Sequence, residues 1–280
     1  MSLTDLISVV PLDGEEEEAE DIFAFAAGLI FPGDTRIVHG DERSVIVYRS
    51  QRFGDIELRN ADPQSEDERR LYAHYLWNAG LKMAELISSE EDARWSVKGH
   101  RVLELGAGVG LTGIVACLAG AQEVVISDYP ATALIENIER NTQKAIPPEL
   151  SSKYSVQGYE WGDCASSFAT SNRHSFSRIV AADCYWMPNE HNNLVTSMLH
   201  LLDDSSEARV LAIAGFHTGR ANLAGFFDEA EEQGLEVEEI FEEDVAGMRR
   251  DWASERDGGI ENQVERKRWL GIAVLKRRSS

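Results

Sequence analysis

The chain has 280 residues and a formal net charge of −22, from 49 acidic against 27 basic side chains. That length fits one α/β domain with a decorated N-terminus and leaves little room for a second full domain. The charge argues against nonspecific binding to a phosphate backbone, so no nucleic-acid partner is expected and a basic partner is favoured. No stretch reaches the roughly 20 apolar residues of a membrane helix, and no basic region leads into an apolar N-terminal core, so no membrane association is expected. Cys117, Cys164 and Cys184 are odd in number and lack paired spacing, which predicts reduced thiols and a cytoplasmic protein, with the nucleus also compatible. The seven histidines are scattered, none at ligand spacing from cysteine or carboxylates, so no metal site is expected.

In chain order, residues 1–30 hold apolar fragments (6–10 and 22–30) around the acidic run Glu15 to Glu18, which reads as a solvated segment. Residues 36–39, 44–48 and 56–58 alternate or carry β-branched side chains, with Gly40-Asp41 and Gly54-Asp55 between them. This predicts a small antiparallel meander, so that residues 1–62 form an N-terminal segment and 63–280 the main domain. From 71 to 87 apolar residues recur at helical spacing, with Trp77 inside the predicted helix and Glu66, Asp67 and Glu68 at its N-terminal end.

Residues 101–128 organise the rest. Val102 to Leu105 reads as a strand, and Leu111, Ile114, Val115 and Leu118 mark one face of a helix. Val124 to Ile126 reads as a second strand, ending at the carboxylate of Asp128. The turn between strand and helix is Glu104-Leu-Gly106-Ala-Gly108-Val-Gly110. A dinucleotide fingerprint spaces its glycines G-x-G-x-x-G, whereas here the third comes one position early. Asp128 stands at about the 20-residue spacing at which a carboxylate accepts ribose hydroxyls.

The alternation then continues. Helices are expected at 131–141, 190–202 and 223–232, and strands at 154–159, 178–182, 209–216, 235–241 and 269–275. Trp161 and the run Asp183-Cys184-Tyr185-Trp186 fall at strand ends, where ligands of open α/β sheets collect. Residues 242–267 read as a long polar loop, a kind more often functional than idle. The class is α/β, with a mostly parallel Rossmann-like sheet and helices on both faces.

Leu76-Trp77-Asn78-Ala79-Gly80, Glu104 to Gly110, Ser127-Asp128-Tyr129-Pro130, Trp161-Gly162 and Ala182-Asp183 together resemble the family 16 seven-strand methyltransferases. This group includes proteins related to nicotinamide N-methyltransferase and to elongation factor 1-alpha N-terminal and lysine methyltransferase. The resemblance implies a seven-stranded sheet of order 3-2-1-4-5-7-6, its last strand antiparallel, and S-adenosylmethionine as cofactor. By the same resemblance Trp77 closes over the cofactor, Gly106, Ala107 and Gly108 hold its methionine part and Asp128 its ribose, Trp161 lies by the adenine, and Ala182 touches it. Asp183 begins a D-x-x-aromatic motif associated with substrate placement, its fourth place here being Trp186 with Tyr185 one place early.

Methyl transfer from a sulfonium asks the protein mainly to align nucleophile and methyl. For an amine acceptor, Asp183, aided by Tyr185 and Trp186, orients the amine and takes its proton. The expected activity is N-methylation of a protein amine, lysine or N-terminus, with a small-molecule amine as the alternative acceptor. A nicotinamide-dependent oxidoreductase is disfavoured by the early third glycine. A non-catalytic binding module is disfavoured by the intact Gly106, Gly108 and Asp128.

Overall fold

Alternate residues of a strand face opposite sides of its sheet, so a strand buried on both faces must be apolar at nearly every position. The central strands here obey this rule, and their side chains divide into two cores. Val102, Val124, Ile126, Val180, Leu211 and Ile213 belong to one. Their neighbours Leu103, Leu105, Val125, Ile179, Val210 and Ala212 belong to the other. The computed structural model describes residues 2–12, 37–63, 65–66, 73–89 and 91–278.

The strands are β1 (Ile7–Pro11), β2 (Val38–His39), β3 (Ser44–Ser50), β4 (Gly54–Leu58), β5 (Leu76–Trp77), β6 (Arg101–Leu105), β7 (Glu123–Asp128), β8 (Tyr154–Gly158), β9 (Arg178–Ala182), β10 (Arg209–Gly215), β11 (Leu235–Asp244), β12 (Arg249–Asp251) and β13 (Trp269–Arg277). The α-helices are α1 (Asn78–Ser88), α2 (Leu111–Leu118), α3 (Thr132–Ala145), α4 (Ser167–Ser171), α5 (His191–Leu201), α6 (Arg220–Gln233) and α7 (Gln263–Arg266). The main sheet has the order β12-β11-β13-β10-β9-β6-β7-β8. From β8 through β10 every pair is parallel. The strand β13 is antiparallel to both β10 and β11. With β6 as the first strand this is the order 3-2-1-4-5-7-6, extended by one: β12 pairs with the outer edge of β11 and makes the sheet eight-stranded.

Helices cover both faces. On one side α1 buries Leu81 and Met83, α2 Ile114 and Val115, and α3 Leu134 and Ile138. On the other, α5 buries Leu194 and Met198, and α6 Leu223 and Phe226. The strand β6 lies between β7 and β9, so chain direction away from it reverses there. That reversal opens a crevice at the carboxyl ends of the strands.

Three expectations need correction. The meander does form, in the order β1-β3-β4, but its third strand is β1 rather than the expected 36–39, of which Arg36 lies outside the described residues. Val38 and His39 instead pair with Trp77 and Leu76. The helix expected from 71 begins at Asn78, with Trp77 extended before it at φ −101° and ψ 156°. His39 fixes that start, its Nε2 lying 2.7 Å from Asn78 Oδ1. Glu66 is therefore well short of the helix it was expected to cap, and residues 67–68 and 71–72 lie outside those described, as do 15–18 and 22–30. Residues 242–267 are not one loop: β11 runs to Asp244, and β12 returns along it. Their polarity hid the hairpin, because its charges pair with one another; the Glu242 side chain, 0% exposed, meets Arg220 at 2.5 Å and Arg250 at 2.7 Å.

Candidate functional site

The β6–α2 turn forms the floor of the crevice. Gly106 and Gly108 adopt left-handed backbone, at φ 64° and 60°. A Cβ on Gly106 would lie 2.6 Å from Cys184 Sγ, and one on Gly108 would lie 3.1 Å from the carbonyl oxygens of Ala73 and Tyr75. Glycine is thus required both by conformation and by close approach. The bend leaves an open cavity of about 310 Å³ above it.

At the end of β7, Asp128 is buried, and each of its carboxylate oxygens accepts one backbone hydrogen bond. Gly108 N–H donates to Oδ2 and Tyr129 N–H to Oδ1, both at 2.7 Å. Each oxygen keeps further accepting capacity, the arrangement a vicinal diol needs. Burial raises the Asp128 carboxyl to about 6. Glu104 is pushed up further, to about 8, by burial and by the charge of Asp128, against an opposing bond from Gly113 N–H. At neutral pH Glu104 therefore holds its proton for most of the time.

Of the residues singled out in the sequence, Trp77, Gly106, Ala107, Gly108 and Asp128 line this one cavity. So do Trp161, Ala182, Asp183 and Trp186. Tyr185 does not. Asp183 has φ 60°, and beyond this left-handed residue Cys184 Sγ packs 3.0 Å from the Leu105 carbonyl. Tyr185 then enters the core and stacks on Phe226 at 4.4 Å between ring centroids. The expectation that Tyr185 assists at the reacting centre is corrected accordingly; Trp186, the next residue, returns to the cavity.

Asp183 is itself constrained. Its N–H donates to Ile213 O at 2.7 Å, while Oδ1 accepts from Gly215 N–H at 3.1 Å and contacts His217 Nε2 at 2.8 Å. Oδ2 is buried and, among the described residues, has no hydrogen-bond partner. Sequence reasoning missed His217. The available signal was its place just beyond the carboxyl end of β10, next to the strand that carries Asp183. Among the described residues no group of histidine, cysteine and carboxylate side chains is arranged to hold a metal, and no helix is long and apolar enough to cross a membrane.

A glycine bend at a strand-order reversal, a diol-accepting carboxylate, aromatic walls and a lone carboxylate oxygen are compatible with several nucleotide-like ligands; comparison with known proteins decides among them. Residues 62–233 match the family model described as lysine methyltransferase. The chain belongs to that family. A curated relative, the Schizosaccharomyces pombe protein N-terminal and lysine N-methyltransferase efm7, is 36% identical over 181 residues, covering 62% of this chain and 68% of its own. The Aspergillus fumigatus protein of the same name is 37% identical, with 61% and 68% covered. Among solved structures, a Streptococcus mutans protein described as an S-adenosylmethionine-dependent methyltransferase superposes with TM-score 0.51 at 12% identity, over 92% of this chain and 64% of its own. A protein described as a methyltransferase and solved with S-adenosylhomocysteine gives TM-score 0.50 at 11% identity, over 83% and 53%. These two share the fold. As a member of that methyltransferase family the chain is an enzyme, and its cavity suits S-adenosylmethionine: a Cβ-free cradle, a buried diol acceptor and, among the described residues, walls without a cation.

Proposed function

We propose that this methyltransferase transfers a methyl group to a protein amine, a lysine side chain or an N-terminal amine, as the names of its relatives say of them. Gly106, Ala107 and Gly108 hold the methionine part of the cofactor, Asp128 the ribose and Trp161 the adenine, while Trp77 and Ala182 close the pocket around it. What S-adenosylmethionine supplies when bound is a methyl on a positively charged sulfur, so the acceptor needs only alignment and a free lone pair.

The observation that carries the proposal is Asp183 Oδ2, buried at the cavity and without a partner among the described residues. An ammonium donates to it and gives up a proton to it, freeing the nitrogen lone pair. The help needed is larger for lysine, near 10.4, than for an N-terminal amine at about 7.7–8.0. Trp186 walls the acceptor's approach, and Tyr185 supports it from the core side. A net charge of −22 favours basic protein acceptors and disfavours nucleic acid. Tritiated-methyl labelling of lysate from cells lacking the gene tests this reading. Counts in base-stable protein are expected; counts confined to small molecules would contradict it.

A further inference from the structure

A carboxylate that must accept a proton from an amine needs its free oxygen aimed and its basicity set. Resting on the reading of Asp183 above, we infer that His217 is the positioning residue that performs both tasks. Its ring is held on two sides. Trp77 packs against it, with ring centroids 4.8 Å apart. At Gly215 a Cβ would come within 2.3 Å of its Cε1, so the ring occupies space that only a glycine leaves. Its Nε2, 2.8 Å from Oδ1, and Gly215 N–H together hold Oδ1, so Oδ2 is the oxygen left over. Since the carboxylate is acceptor only, Nε2 carries the hydrogen, and Nδ1, also buried and without a partner among the described residues, is the atom that gains or loses the titrating proton.

The charged groups acting on this ring are Asp183, at the end of β9, and Arg266, on α7. Burial and Arg266 oppose protonation of His217, but the Asp183 charge and hydrogen bond outweigh them and raise it above the usual histidine value. Protonated, the imidazolium offsets the Asp183 charge, and the carboxylate attracts an ammonium and its proton weakly. Neutral, it leaves that charge unopposed while still donating from Nε2. The proton then passes from the ammonium nitrogen to Oδ2, and both groups become neutral. Turnover therefore rises with pH through the His217 transition.

The test measures initial tritiated-methyl incorporation into protein of gene-deleted lysate, at saturating S-adenosylmethionine, across pH 6 to 9. His217→Gln keeps an amide donor near the Nε2 position and cannot titrate. His217→Phe keeps the ring against Trp77 and loses the donor. Titration of acceptor amines is common to all variants, so rate ratios cancel it. The ratio of wild type to His217→Gln is expected to fall from pH 9 to pH 6, approaching about tenfold for each pH unit below the midpoint of a single proton. His217→Phe is expected to lose roughly 10- to 100-fold at every pH, the scale of a misplaced reacting group. S-adenosylhomocysteine affinity by calorimetry should stay within about twofold in both, which identifies a folded cofactor pocket. A flat wild-type to Gln ratio, or a His217→Phe protein as active as wild type, overturns the inference. Asp183→Asn separates the two levels: if it turns over normally, the reading of Asp183 itself fails.

Discussion

Glu104 lies directly beneath the glycine bend, and its chemistry differs from that of a surface glutamate. It is 3% exposed, Gly113 N–H donates to its Oε2 at 2.9 Å, and its carboxyl is raised to about 8. A carboxyl whose folded value exceeds its unfolded value binds a proton more tightly in the native state. The stability it contributes is complete below about 4.5 and is lost as pH rises through about 8. Glu104→Gln imitates the protonated form at all pH values. Its melting temperature is expected to match wild type within a few degrees at pH 6 and to exceed it at pH 9, by scanning calorimetry. A variant that is less stable than wild type at pH 9 would show that Glu104 works as a buried anion. At this scale Asp128 and Gly106 were legible in the sequence because a local spacing marks them. Tyr185 was misread because its direction depends on the left-handed backbone of Asp183, which no composition or period reveals.

Among the elements, the β11–β12 hairpin depends on charge where the parallel strands depend on apolar burial. Arg220, the first residue of α6 and 6% exposed, meets Glu242 and Glu261 at 2.5 and 2.8 Å. Arg256 approaches Glu242 at 3.2 Å. The Arg220 guanidinium also lies 4.0 Å from the centroid of the Phe216 ring. Removing it leaves Glu242 buried with its nearest partner gone. Arg220→Ala is expected to cost about 3–5 kcal/mol in urea unfolding, and Glu242→Gln in the same background to recover part of that. Additive losses would mean the two side chains act independently. The apolar parallel strands could be read to within a residue or two, since being buried on both faces leaves a continuous hydrophobic run. The hairpin could not, because paired charges and solvated loops share one composition. The start of α1 was misplaced for a third reason: Leu76 and Trp77 fit a helical period, but pairing with Val38 and His39, remote in sequence, holds them extended.

Across the whole molecule, the cavity draws on the carboxyl ends of β6, β7, β8 and β9, roofed by Trp77 from outside the main sheet. This convergence follows from strand order alone: β6 sits at the reversal, so its neighbours on both sides deliver their terminal residues to one crevice. Residues at those ends were therefore legible once the strands were placed. His217 was not, because its significance arises from the register of β9 beside β10, with Ala182 opposite Ile213, which brings two sequence-distant side chains together. The central claim is that this crevice holds the sulfonium donor with its reactive end toward Asp183. A crystal soaked with S-adenosylhomocysteine measures it most directly. The predicted result is density for the ligand along Gly106 to Gly108, ribose hydroxyls on Asp128, adenine beside Trp161 and sulfur facing Asp183; a crevice without ligand, or a ligand whose sulfur points away from Asp183, would contradict it.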